Sequence, residues 1–191
     1  MEDLSKWAGD LIRRATNGHD SSDKYIKYIR DVKRLIDYME KIKLIADREY
    51  ISYREFYNLI KGSIERMIVE WGWSIDDVLE WLNEIVQTYD EFRNKNRGTL
   101  GGNKFPIFFS LMRIKAYAME LGVSQLYDEI KETVLKELFD EKKEVGFVKA
   151  WVEEVRRYLE EEIVRKRRST SRETDELPTI LETDDRPTRV R

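Results

Sequence analysis

Apolar residues recur with helical spacing along almost the whole chain before residue 169. The clearest stripe has alternating steps of four and three residues, as on one face of an α-helix. It comprises Tyr25, Ile29, Val32, Ile36 and Met39. No segment alternates between apolar and polar residues as a half-buried strand does. The pattern predicts an all-α fold, a bundle of about six or seven helices with a flexible C-terminal tail.

Capping residues and proline mark where the helices are expected to begin. Ser52 with Glu55 forms a capping-box pattern, and Ser74 with Asp77 opens the next helix. Pro106 is suited to the first position of a helix, because the N–H at that position has no partner within the helix and proline has no N–H to leave unpaired. The seven expected helices start near residues 4, 21, 52, 74, 106, 124 and 144. The last is expected to use Phe147, Trp151, Val155, Tyr158, Leu159 and Ile163 as its apolar face and to end at Arg168.

The composition changes after Arg168. Residues 169–191 contain no aromatic residue and two of the three prolines, so they cannot bury enough apolar surface to offset ordering entropy. We expect an N-terminal helical extension over 1–48, a helical bundle over 49–168 and a disordered tail over 169–191. The basic run 165–168 is interpreted as a last helical turn that complements the helix dipole, rather than as a second polyanion contact.

The amino-acid composition limits the kinds of protein that this chain can be. The 191 residues are 41% apolar, which is enough for a real core, and the absence of cysteine excludes disulfides and thiolate chemistry. No stretch approaches the roughly 20 apolar residues of a membrane span, so we expect a cytoplasmic protein without membrane contact. Abundant Lys, Arg, Glu and Ile with only two glutamines favour a heat-adapted source.

Catalytic motifs are missing from the sequence. His19 is the single histidine, so the paired histidines of di-iron bundles and zinc proteases are excluded. The segment 98–104 departs from a phosphate loop at Asn103 and Phe105. We therefore expect a protein that is not an enzyme and has no catalytic residue, no metal site and no cofactor.

A window without acidic residues separates Glu91 from Glu120 in a chain that has 38 acids. Its cations are Arg93, Lys95, Arg97, Lys104, Arg113 and Lys115. Aromatic residues and three glycines, at 98, 101 and 102, interleave with them and give the backbone freedom to approach a ligand closely. This combination suits single-stranded nucleic acid. Because the net charge is −3, such contact must come from a local patch.

Helical geometry predicts different environments for two cations of the window, Arg113 and Lys115. Arg113 shares a face with Ser110 and Tyr117, opposite the apolar stripe that begins at Ile107, and is expected to face solvent. Lys115 lies on the flank, where its side chain is expected to run along the edge of the core. The alternative interpretation is a basic loop leading into a buried helix, with Phe105, Phe108 and Phe109 entering the core.

Four helical segments follow one another between about Leu79 and Ile163. The first carries Asn83, Glu84, Tyr89, Asp90, Phe92 and Arg93, and the others are 111–118, 126–130 and 147–151. In order and spacing this region resembles the small helical subunit of type III (Csm-type) CRISPR effector complexes, which is present in several copies along the guide RNA. The resemblance implies that Arg113, Lys115 and then Arg93 contact the RNA backbone. Residues 1 to about 75 and the tail have no counterpart in it.

The basic window and the resemblance indicate the same function. A non-catalytic subunit would bind the backbone of guide RNA and single-stranded target RNA, pack against larger effector-complex subunits and repeat head to tail with further copies of itself. Two alternatives remain: a DNA-coating virion or nucleoid protein, and a helical protein-interaction module whose basic window docks an acidic partner.

Overall fold

The computed structural model describes residues 3–16, 22–50 and 53–184, and the side chains of 3–15, 25–50 and 55–170. Within these ranges the chain forms seven helices and no strand. The helices are α1 (Leu4–Thr16), α2 (Ser22–Arg48), α3 (Tyr53–Val69), α4 (Ile75–Asn96), α5 (Gly101–Leu121), α6 (Ser124–Leu138) and α7 (Val145–Asp184). The predicted all-α bundle of six or seven helices is confirmed.

Helix α5 lies at the centre of the bundle. It runs antiparallel to α4, since Trp81 Nε1 donates to the Met112 carbonyl at 2.9 Å while Tyr89, further along α4, packs against Phe108. It runs parallel to α7, because contacts from α5 to α7 advance together along both helices, from Ser110 with Glu153 to Glu120 with Lys166. Neighbours on several sides explain why α5 buries residues around most of its circumference.

The apolar side chains form one hydrophobic core that reaches from α1 to α7. Leu35 and Met39 of α2 belong to the same core as Phe108 of α5 and Leu159 of α7. The first two helices, predicted as an extension over residues 1–48, therefore share their buried surface with the later helices.

The observed start of α4 agrees with its predicted capping residue, whereas the observed start of α5 differs from the prediction. The Ser74 hydroxyl accepts the Asp77 N–H at 3.2 Å, so the predicted start of α4 is confirmed. The predicted start at Pro106 is wrong: α5 begins at Gly101, and Pro106 lies in its second turn. The capping box at Ser52 falls outside the described residues. The last helix was expected to end at Arg168, but its backbone continues to Asp184.

Two predicted apolar stripes match the buried faces only in part. On α2, Met39 is buried as predicted, but Tyr25 and Ile29 are exposed and Asp31 is buried, with 1% exposure. On α7, Leu159 and Ile163 are buried as predicted, whereas Phe147, Trp151 and Tyr158 are exposed and Val148 and Val152 are buried instead. Apolar residues occupy both flanks of these helices, so packing against neighbours decides which flank is covered.

Candidate nucleic-acid interface

The end of α4, the start of α5 and the turn between them carry four of the six predicted contact residues. Arg97 ends α4 with φ 56°, a left-handed conformation, and the Gly98 N–H closes the turn by donating to the Arg93 carbonyl at 3.1 Å. Lys104 follows in the first turns of α5, where its ammonium donates to the Asn96 side chain and lies 5.2 Å from the centroid of Phe139. We call Arg93, Lys95, Arg97 and Lys104 the α4–α5 basic cluster.

The positive charge of the α4–α5 basic cluster is uncompensated. Lys95 and Arg97 are exposed, and Arg93 and Lys104 are half-buried. Among the side chains that the structure describes, no carboxylate forms an ion pair with any of the four. By contrast, Lys131 on the neighbouring α6 lies 3.0 Å from Glu84 and 3.3 Å from Glu91. Among the described residues these four cations are therefore not engaged in ion pairs and can bind an external anion.

Arg93 is one of the two half-buried cations of this cluster. Its Nε atom is buried and has no hydrogen-bond partner within the described part of the chain. Its charge acts on Tyr89, whose pKa is raised above its ordinary value by burial and by its hydrogen bond to Glu49, against the opposing charges of Arg93 and Arg48. Arg48, which is exposed at the end of α2, thus adds a fifth cation near the turn.

A buried carboxylate from the turn that follows α2 fixes the start of α5. Glu49 Oε1 accepts the Tyr89 hydroxyl at 2.6 Å and the Leu100 N–H at 2.8 Å, and Oε2 accepts the Gly101 N–H at 3.0 Å. The first N–H groups of a helix have no intrahelical acceptor and favour an anion. Because Glu49 satisfies them at Leu100 and Gly101, the helix begins there, one turn before Pro106.

Gly101, one of the three glycines of this segment, forms part of the internal contact with Glu49. Gly101 has φ 72°, a conformation that costs other residues energy, and it presents its N–H to Glu49. We expected the glycine-rich segment to bring backbone close to a ligand. The close approach is made by a side chain of the same protein instead, so the side chains of the α4–α5 basic cluster, rather than the N–H groups of Leu100 and Gly101, are available to a ligand.

Arg113 does not occupy the open surface that helical geometry predicted. Its Nη2 lies 2.7 Å from Glu160 Oε1 on α7, and the Tyr117 hydroxyl donates to the same oxygen at 2.7 Å. Ser110, on the same face, donates to Glu153 at 2.7 Å. The prediction of a solvent-facing stripe is wrong because α7 covers this face and supplies the acids that the window itself lacks.

Lys115 and the aromatic residues of the window are also inside the bundle. Lys115 is 8% exposed and its Nζ lies 4.9 Å from the centroid of the Tyr127 ring on α6. Phe108 is fully buried, and Phe105 and Phe109 pack against Phe56 of α3. For the phenylalanines the alternative interpretation, entry into the core, is correct, and Lys115 offers no surface to RNA.

The basic run 165–168 lies within α7 rather than in its last turn. Lys166 Nζ donates to the Glu120 carbonyl at 2.6 Å, and Arg167 donates to the Glu70 carbonyl. These carbonyls lie at the C-terminal ends of α5 and α3, where cations offset the helix dipole and unpaired C=O groups. The prediction of a basic last turn is therefore wrong, and Lys166 and Arg167 bind carbonyls at the ends of two neighbouring helices instead of their own.

Tyr50 is an exposed aromatic residue that the sequence pattern did not single out. It follows Glu49 directly, is 93% exposed and has φ 54°, an uncommon conformation for a residue with a side chain. Arg48 and Tyr50 lie fifty or more residues from Leu100 in sequence but are the chain neighbours of Glu49, whose carboxylate binds it. No local signal marks them, because only the contact of Glu49 places them beside the α4–α5 turn.

Comparison with protein-family models, with curated proteins and with solved structures gives no match. The resemblance to the Csm-type small subunit therefore stays a prediction that rests on the sequence segments quoted above. Among the described residues, no helix is both long enough and apolar enough to cross a bilayer. In the same part of the chain, no group of three or more His, Cys, Asp or Glu side chains could hold a metal ion.

Proposed function

We propose that this protein binds the backbone of single-stranded RNA at the α4–α5 basic cluster, as a non-catalytic small subunit of a ribonucleoprotein. The observation that carries the proposal is the uncompensated charge of Arg93, Lys95, Arg97 and Lys104, in a protein whose net charge is −3. Phosphate contacts of this kind release counterions and need no base-specific geometry.

The proposal differs in geometry from a stripe along α5. The cations surround one end of the bundle, where the C-terminus of α4 meets the N-terminus of α5, whereas Arg113 is paired with Glu160 and Lys115 is buried. An RNA strand would cross this end of the bundle instead of following the central helix.

Tyr50 supports a single strand over a duplex. Unstacked bases can stack on an exposed aromatic ring, which contributes about 1–3 kcal/mol per base, whereas the bases of a duplex are already stacked. Tyr50 exposes almost its whole ring next to Glu49, the residue that binds the α4–α5 turn. We therefore place a base on Tyr50 and the adjoining phosphates on the cations.

The test is the salt dependence of binding to a single-stranded RNA oligonucleotide. Each phosphate contact contributes about 0.7 to the slope of log K against log salt concentration. Replacing Lys95, Arg97 and Lys104 by Gln should make the slope about 2 units shallower and weaken binding at 0.1 M salt about 100-fold. Tyr50→Ala should weaken binding about 10-fold with the slope unchanged.

The matched control replaces Lys6, Lys33 and Lys149, which are exposed on α1, α2 and α7, by Gln. It removes the same charge, so equal loss of affinity in both triple variants would show that the α4–α5 basic cluster is not the site. Tighter binding of single-stranded DNA of the same sequence would favour the DNA-coating alternative. Absence of binding to either nucleic acid would favour a protein-interaction module.

Assembly follows from the resemblance. We propose that the chain joins larger effector subunits and guide RNA in more than one copy, arranged head to tail, because a closed two-fold pair would not extend along an RNA. Native mass spectrometry of the complex purified with its partners should give two or more copies per guide. A tight symmetric homodimer that excludes RNA would overturn this arrangement.

A further inference from the structure

A groove of about 780 Å³ lies between the end of α3, the middle of α5 and α7. This volume is in the range of small-molecule sites. Its charged lining consists of Arg66, Arg113, Arg167, Arg168, Glu70 and Glu160. The groove is separate from the α4–α5 basic cluster and shares none of its four residues.

The groove has a surplus of positive charge. Four arginines and two glutamates line it, which leaves a net charge of 4 − 2 = +2. Including Glu120 and Lys166, which flank Arg167, does not change this difference. Arg168 is exposed and forms no ion pair among the described side chains. A ligand with two negative charges would therefore neutralise the groove.

Several guanidinium donors remain free to bind such a ligand. Arg113 uses its Nη2 for Glu160 and Tyr117, which leaves Nε and Nη1 without a partner within the described residues. Arg66 approaches Glu70 only through Nε, at 3.7 Å. Guanidinium groups bind phosphate oxygens in a bidentate manner, so these arginines match a phosphate better than a single-atom anion.

An aromatic wall completes the groove. The half-buried indole of Trp71 lies 5.6 Å from the Trp73 ring and 6.2 Å from the Tyr117 ring, measured between centroids. Trp73 and Tyr117 are buried and support the indole, while Trp71 and Tyr117 both contribute to the lining of the groove. A planar ring of a ligand would stack on this indole.

We propose that this groove binds a phosphomonoester carried on a planar ring, the chemistry of a nucleoside 5′-monophosphate. The phosphate lies among Arg66, Arg113 and Arg168, and the base lies against Trp71. The site is independent of the RNA contact proposed above, since it uses another end of the bundle and other residues.

Isothermal titration calorimetry of the full chain with adenosine 5′-monophosphate tests the proposal. Binding should be at least about 10-fold tighter than that of adenosine or of inorganic phosphate, because each of these lacks one half of the ligand. Arg168→Gln and Trp71→Leu should each weaken binding about 10-fold, whereas Arg157→Gln, an exposed change on the same helix, should leave it unchanged. Arg168→Gln removes no ion pair, so the fold is preserved.

The dependence on pH supplies a second readout. The second pKa of a phosphomonoester is near 6, so a groove with charge +2 should bind more tightly as the pH rises from about 5 to 7. Equal binding of adenosine, an unaffected Arg168→Gln variant or pH-independent affinity would overturn the proposal. The variant lacking Lys95, Arg97 and Lys104 should retain nucleotide binding, which separates this site from the RNA contact.

Discussion

Glu49 is the residue whose removal should damage the fold most directly. Its carboxylate accepts three hydrogen bonds, from the Tyr89 hydroxyl and from the N–H groups of Leu100 and Gly101. Tyr89 is fully buried and Leu100 is 4% exposed, whereas Gly101 is exposed. In Glu49→Ala, water can therefore replace the carboxylate at Gly101, but two buried donors lose their acceptor.

The magnitude follows from those two donors. Leaving a buried donor without its charged acceptor costs about 1.5–3 kcal/mol, or about 3–6 kcal/mol for two. Part of this cost is recovered because the variant no longer buries a carboxylate. We expect the free energy of unfolding to fall by about 3 kcal/mol, which moves a urea midpoint down by about 1.5 M for a slope of about 2 kcal/mol per M.

Urea unfolding followed by far-ultraviolet circular dichroism measures this change. Tyr89→Phe removes one donor and should cost about 1 kcal/mol by itself. Combined with Glu49→Ala it should cost about 1 kcal/mol less than the sum of the two, because the unpaired hydroxyl is gone. Glu154→Ala, an exposed change on α7, should stay within about 0.5 kcal/mol of the native protein. A Glu49→Ala variant as stable as Glu154→Ala, or strict additivity with Tyr89→Phe, would refute the reasoning.

Three further outcomes are expected. Burial raises the pKa of Asp31 above its ordinary value of 3.8, so the folded state binds the proton more tightly than the unfolded chain and stability is lost as the pH rises above 3.8. Asp31→Asn should therefore increase the free energy of unfolding by about 1 kcal/mol at pH 7 and leave it unchanged well below pH 3.8. Urea unfolding at the two pH values measures the difference. Arg97→Gly should raise the unfolding free energy by about 0.5–1 kcal/mol by removing left-handed strain, while Lys95→Gly, in regular helix, should lower it by about 1 kcal/mol. Although the backbone of α7 continues to Asp184, residues 169–191 have no aromatic residue to anchor them to the core. Limited proteolysis should therefore cut between residues 169 and 175 and leave a stable helical fragment, and a C-terminus that resists cleavage would contradict the expected flexible tail.

Local sequence determined the class of fold and most of its helices. Helical periodicity depends on spacing within one segment, and a cap such as Ser74 with Asp77 lies within four residues of chain, so both are visible without tertiary structure. The helical spacing of α6 predicts an apolar stripe of Leu126, Tyr127, Ile130, Val134 and Leu138, and all but Leu126, which is exposed, are buried. The absence of acidic residues between Glu91 and Glu120 can likewise be read from the sequence alone.

Only the tertiary structure decided what that window means. A segment without acids indicates free positive charge only if no other segment brings acids to it, and α7 brings Glu160 to Arg113. The same applies to the start of α5, which is set by Glu49, just after α2, and not by Pro106. Where α4 meets α5, Glu49 binds Tyr89 and the N–H groups of Leu100 and Gly101. Among the described side chains, however, no acid forms an ion pair with Arg93, Lys95, Arg97 or Lys104. Charge compensation depends on distances in space, and spacing along the chain cannot supply them.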